Sequence, residues 1–149
     1  MNKFPSDHPE LWYGEKAIPN PVSYTGANVG EMSISGLVDP KKIEKTWGYE
    51  LIYQNNPFYC MKRLIIKPNK FTSLHLHLSK SEVLQVESGV LILKYIDHGE
   101  ELVTHLDWGM AFHVAPGLPH QLINEEDEDL VIMEASTTSF DDDSIRLWR

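Results

Sequence analysis

Residues 72–82, TSLHLHLSKSE, place two histidines at alternate positions between leucines and close on a carboxylate. In an extended strand, residues two apart point to the same side. Ser73, His75, His77 and Ser79 therefore share one face, and Leu74, Leu76 and Leu78 the other. The leucines are expected to pack against a second layer, and the imidazoles to point into the mouth of a barrel. Residues 79–81 read as a polar turn, after which Glu82 opens the next strand and can fold back beside the histidines. Two neutral nitrogens and a carboxylate suit one divalent ion, with Zn, Mn, Fe, Co and Ni all compatible.

A fourth donor is needed, and His120 is the best candidate. It follows APGLP at 115–119, a stiff turn that can fix the histidine as it enters a strand. The other histidines read differently: His8 falls in an N-terminal arm, His98 in the turn DHGE and His105 beside DWG, all as surface residues. His113, between Phe112 and Val114, is a further candidate for lining the pocket.

Working outward, short β-rich runs are expected at 49–54, 59–66, 73–78, 82–87, 90–96, 101–106, 110–114, 120–124 and 130–136. They are separated by turn-like segments such as PNK, DHGE and NEEDED. The acidic run at 125–129 reads as a solvated turn. Without helical periodicity, this pattern specifies an all-β antiparallel barrel or double-sheet jelly roll. Residues 1–44 form a separate arm, rich in proline and glycine and carrying Phe4, Trp12, Tyr13 and Tyr24. A short strand or helical turn at 30–40 could join it to the body at 45–149.

A chain of 149 residues is the size of one domain. Its net charge of −9 argues against nonspecific binding to nucleic acid or an anionic membrane, though not against a small anionic substrate. With Cys60 alone, neither an internal disulfide nor a cysteine-based zinc site is expected. The N-terminal residues lack the apolar run of a signal peptide, and no stretch approaches about 18 apolar residues. The expected location is the cytoplasm. No GxGxxG, Walker loop or HExxH occurs.

The motif His75-x-His77, Glu82, Gly89, followed by Gly109, Pro116-Gly117, His120 and Asn124, resembles that of the cupins. The resemblance implies a small β-barrel holding one metal through three histidines and a glutamate. Ala115 stands where a first proline is common, and Asn69 lies in the region of a usual glycine; neither change removes a ligand. KTWGYELIY at 45–53, the segment 61–93 and EASTTSFDDDSIRLW at 134–148 also resemble the mannose-6-phosphate isomerase cupin that ends bifunctional mannose enzymes. Relative to that family, His75 replaces a glutamine and Lys80 an arginine.

That resemblance implies a metal-dependent aldose–ketose isomerase acting on a sugar or sugar phosphate. Its first coordination set would be His75, His77, Glu82 and His120. Lys80 and Glu134 are the candidate catalytic residues, with Lys62 and Arg146 the candidate substrate-binding ones. If the strand around Lys62 is regular, only one of Lys62 and Arg63 can face inward. A homodimer is expected, with the arm crossing to its partner and covering a sheet edge. The alternatives are a non-catalytic sugar-binding or regulatory cupin and an iron-dependent cupin oxygenase. A metal-free epimerase fits less well, because all four ligand types are present.

Overall fold

The structure, a computed structural model, describes residues 35–148. The described residues form strands and no helix: β1 (Lys41–Lys45), β2 (Gly48–Asn55), β3 (Cys60–Ile66), β4 (Lys70–Phe71), β5 (Leu74–His77) and β6 (Glu82–Ser88). Next come β7 (Leu91–Asp97), β8 (Glu100–Leu106), β9 (Ala111–Val114), β10 (His120–Asn124), β11 (Leu130–Ser136) and β12 (Ser144–Trp148). One sheet has the order β1-β2-β3-β11-β6-β9, and the other β12-β5-β10-β7-β8 with β4 alongside β10. Every pairing is antiparallel. This is a two-sheet jelly roll, and each of the nine expected strands is present to within a residue or two at either end.

Period-2 alternation turns one side of each central strand inward. Leu64 and Ile66 of β3, Leu84 and Val86 of β6, and Leu130 and Ile132 of β11 meet Leu91 and Leu93 of β7 and Leu122 of β10 in one buried cluster. Trp47, Tyr95, Phe112 and Leu118 seal its margins. Burying a side chain of this kind stabilises the fold by roughly 1.5–3 kcal/mol. Two turns are set by backbone conformation. Gly89 joins β6 to β7 at φ +89°, where an added Cβ would lie 3.2 Å from the Asp129 carbonyl oxygen and the Leu130 Cα. Asn69 sits at φ +57°, a left-handed conformation that asparagine tolerates better than most residues.

Three expectations need correction. The arm was expected to reach residue 44, but 41–44 belong to β1, which pairs along β2 from Lys41↔Ile52 to Lys45↔Gly48. KKIEK has a single apolar residue because an edge strand buries little, so its pattern hides it. Residues 35–40 form no strand, and 1–34, with His8 and the aromatic residues of the arm, lie outside the described residues. Finally, the second layer packs on the histidine side of β5, not the leucine side. Leu74 and Leu76 are half-buried on the outer face, and Leu78 is 60% exposed. Among the described residues no helix is long and apolar enough to cross a membrane.

Candidate metal centre

Strand register assembles the site. In the second sheet, Arg146 of β12 lies opposite His75 of β5, His75 opposite His120 of β10, and His120 opposite Tyr95 of β7. Across the barrel, the first sheet supplies two parallel rows. Ser136 of β11 is flanked by Cys60 and Glu82, and Glu134 by Lys62 and Leu84. Thus the strands that fill the core with leucine and isoleucine carry charged residues at their other end, on the same inward side.

His75, His77 and His120 each bring a nitrogen within 4.8 Å of the other two. Their ring centroids are 4.5–5.6 Å apart. Glu82 joins them, with Oε1 3.0 Å from His120 Nε2. Backbone carbonyls orient two of the rings: His75 Nδ1 donates to Ser73 (2.8 Å) and His120 Nδ1 to Leu118 (2.9 Å). Each ring then directs Nε2 inward, the arrangement that fixes the tautomer of a metal-binding imidazole.

Burial holds His75 low, at about 4, and His77 lower still, at about 3, where the Lys80 ammonium adds to the effect. Both are neutral donors at pH 7. Burial alone would raise Glu82, but the hydrogen bond to His120 and the nearby Lys80 outweigh it and keep the carboxylate ionised.

The donor set fits a cation by two observations. His120 turns Nδ1 to the Leu118 carbonyl and brings Nε2 to 3.0 Å from Glu82 Oε1, so a ring nitrogen and a carboxylate oxygen converge on a point that one cation could share. Glu82 Oε2 is buried and accepts no aligned hydrogen bond, although Lys80 Nζ is 2.8 Å away. The histidine triad is a site for one divalent metal ion per chain, with imidazole nitrogens suited to a first-row transition metal.

Behind the triad runs a buried chain of charges. Lys80 Nζ lies 3.3 Å from Glu134 Oε2, Lys62 Nζ lies 3.7 Å from the same oxygen, and Lys62 donates to Glu50 Oε1 at 3.3 Å. Burial pushes the Glu134 carboxyl up, against the pull of Lys62 and Lys80. It also acts to lower both lysines, yet the glutamates win and keep them charged. Lys62 faces inward, while Arg63 turns outward to Glu87 and Tyr53, as the alternation requires. A cavity of about 280 Å³ opens onto all of these groups, with Arg146 at its rim.

His98 and His105 are exposed, as expected. His113 does not line the cavity: it is exposed and meets Ser81 Oγ at 2.9 Å, because its neighbours Phe112 and Val114 take the inward positions of β9. The acidic run at 125–129 is a turn, tied down by Asn124, which donates to the Glu128 carbonyl and accepts from the Glu126 amide.

Two contributors escaped the sequence reading. Glu50 enters because β2 pairs with β3. Asp143 fixes the turn between His77 and Glu82: its Oδ1 accepts from the Ser79 amide and hydroxyl (2.8 and 2.7 Å), and its Oδ2 from the Lys80 amide (3.1 Å). Oδ2 also lies 3.8 Å from His77 Nδ1. The only signal was the acidic run at 141–143, which does not reveal which carboxylate turns inward.

The family model for the cupin domain matches residues 62–136, half of the chain and all four proposed ligands. The chain is a cupin. Among solved structures, this cupin is similar to the capsular polysaccharide assembling protein CapF from Staphylococcus aureus, with a TM-score of 0.67 and 20% identity over 74% of the chain. It is also similar to oxalate decarboxylase from Bacillus subtilis, with a TM-score of 0.64 and 18% identity over 73%. At these identities the likeness is one of fold. The cupin spans 33% and 30% of those two chains respectively. No curated protein matches it in sequence.

Proposed function

We propose that this cupin is a metal-dependent enzyme that interconverts an aldose and a ketose, as a free sugar or a sugar phosphate. The observation that carries the reading is the histidine triad, which shares a cavity with an ionised Glu82 and the buried Lys80–Glu134 pair. The resemblance of 45–53, 61–93 and 134–148 to mannose-6-phosphate isomerase cupins supports the choice of reaction.

Isomerisation moves one proton between adjacent carbons and another between their oxygens, with no net change in atoms. Bound at His75, His77, Glu82 and His120, a divalent ion supplies Lewis-acid polarisation of the substrate carbonyl. Glu134 is the candidate to carry the carbon-bound proton: its carboxyl lines the cavity, and burial raises its proton affinity. Lys80, held charged between Glu82 and Glu134, can donate to an oxygen on which negative charge develops. Lys62 aligns Glu134, and Arg146 at the rim suits a phosphate.

One observation favours a non-catalytic sugar-binding or regulatory cupin as the second reading. Lys62 and Lys80 are both locked between glutamates, so the network holds no basic group that is free of a partner.

Elemental analysis of protein purified without chelator, followed by an aldose–ketose screen with and without phosphate, separates the readings. About one equivalent of metal and turnover that collapses in Glu134→Gln, with metal retained, is the expected result. Stoichiometric sugar binding without turnover would establish the binding role. A predominance of iron with oxygen consumption would establish an oxygenase.

A further inference from the structure

Outside the metal chamber lies a second cavity of about 400 Å³, walled by Trp47, Phe71, Thr46 and Glu44. It shares Lys45, Trp47, Ser73 and Arg146 with the metal chamber, so the two cavities adjoin through these residues. Charge is distributed unevenly between them. The inner lysines are neutralised by Glu50, Glu82 and Glu134. Arg146, by contrast, has no acid within ion-pair distance among the described residues, and Lys45 has only a loose 4.0 Å contact with Glu50. In a chain of net charge −9, a guanidinium that has no ion pair among the described residues and stands where two cavities meet is a place for an anion. Beyond it, the half-buried Trp47 and the 51% exposed Phe71 offer the outer cavity aromatic surface that the fold has not covered with described residues.

We infer that the outer cavity is a second subsite, and that the substrate is a two-part anion. Its metal-binding oxygens enter the inner chamber, a bridging phosphodiester sits at Arg146, and a ring on the far side of that phosphate lies against Trp47 and Phe71. The inference rests on the reading of the inner chamber as the substrate site. It differs from a simple sugar monophosphate in requiring a ring-bearing group on the far side of the anion. Aromatic contacts supply selectivity for ring over chain at modest energetic gain, whereas the guanidinium supplies charge selectivity.

The test uses the full-length, metal-loaded protein and a matched pair of probes, phenyl phosphate and ethyl phosphate, titrated by calorimetry. Phenyl phosphate is expected to bind about fivefold more tightly than ethyl phosphate. In Phe71→Ala that advantage should shrink to under about twofold, with ethyl phosphate affinity unchanged. In Arg146→Ala both probes should weaken together, by about tenfold or more. Metal content, measured in parallel, should stay the same in both variants. Equal affinity for the two probes, or a ring preference that survives both Phe71→Ala and Trp47→Leu, would overturn the outer subsite. Retained affinity in Arg146→Ala would overturn the anion position. Absence of metal in the wild type would instead remove the reading of the inner chamber, and the probe series would still report on the outer one.

Discussion

The inward face of β3, β6 and β11 changes character along its length. At one end Ile66, Leu130 and Val86 are wholly buried in the apolar cluster; at the other Lys62, Glu134 and Glu82 are nearly as buried and are linked as ion pairs, Glu82 through Lys80. Burial is similar in the two regions, but the organisation differs. The apolar floor is held by area removed from water, a nondirectional term that tolerates exchange among similar shapes. The charged mouth is held by matched partners, and each ion is costly to leave alone. A barrel can therefore keep one end for stability and give the other to chemistry without changing the backbone that carries both.

The sharpest break between the two regions should come from a single histidine. His77→Ala is expected to lower metal affinity by more than roughly 100-fold, beyond the roughly 10–100-fold typical of groups that only orient a ligand. Metal titration against a competing chelator checks this. The floor mutation Leu84→Ala should leave metal affinity intact while costing about 2–5 kcal/mol of stability.

Urea denaturation of the metal-free protein then tests how each end is held. Lys62→Met leaves Glu50 with only the loose Lys45 contact and Glu134 with Lys80 alone, and should cost about 3–5 kcal/mol, as much as the floor cavity. Adding Glu134→Gln should recover part of that loss, because one of the under-compensated carboxylates is gone. Pairing Leu84→Ala with Leu93→Ala should recover nothing. Equal additivity in both pairs would erase the distinction between matched charges and apolar area.

Acid should act on the mouth before the floor. His75 and His77 titrate near 4 and 3 in the folded chain, against an ordinary 6.5 when unfolded. Between those values the unfolded chain binds more protons, so their contribution to stability is complete above about pH 6.5 and declines as pH falls towards 4 and 3. The melting temperature of the metal-free protein should therefore fall over that interval. His75→Gln/His77→Gln should show a shallower fall.

Smaller effects probe the edge of the site. Asp143→Ala frees the turn at 79–81 and should weaken metal binding by roughly tenfold while the fold persists. His98→Ala removes an exposed imidazole that lies 2.9 Å from its neighbour Asp97, and should leave metal content unchanged and stability within about 0.5 kcal/mol.

Sequence makes the two regions legible to different degrees. Period-2 alternation and turn residues locate the central strands, since a floor residue such as Leu84 or Ile132 is apolar wherever its partners are. The histidines were legible because His75 and His77 must share a face, and because APGLP places His120 at a strand start. Glu50 and Asp143 were not. Their importance comes from register between distant strands, Glu50 against Leu64 and Ser144 against His77, which no local pattern encodes. Strands β1 and β12 were hidden for a related reason: at a sheet edge, exposure leaves alternation little to act on. His113 shows the converse, a plausible residue type on the wrong side of its strand.

The pairing of His120 with His75 also decides when the ligand set can be complete. β5 is made early, but its histidines remain two ligands of an open site until the intervening hairpins form and β10 is laid against it. Closing such distant contacts is slow compared with local turns. The three-histidine set is therefore complete only once β10 lies against β5, and an ion bound there stabilises the folded barrel in proportion to the logarithm of its free concentration once that exceeds Kd.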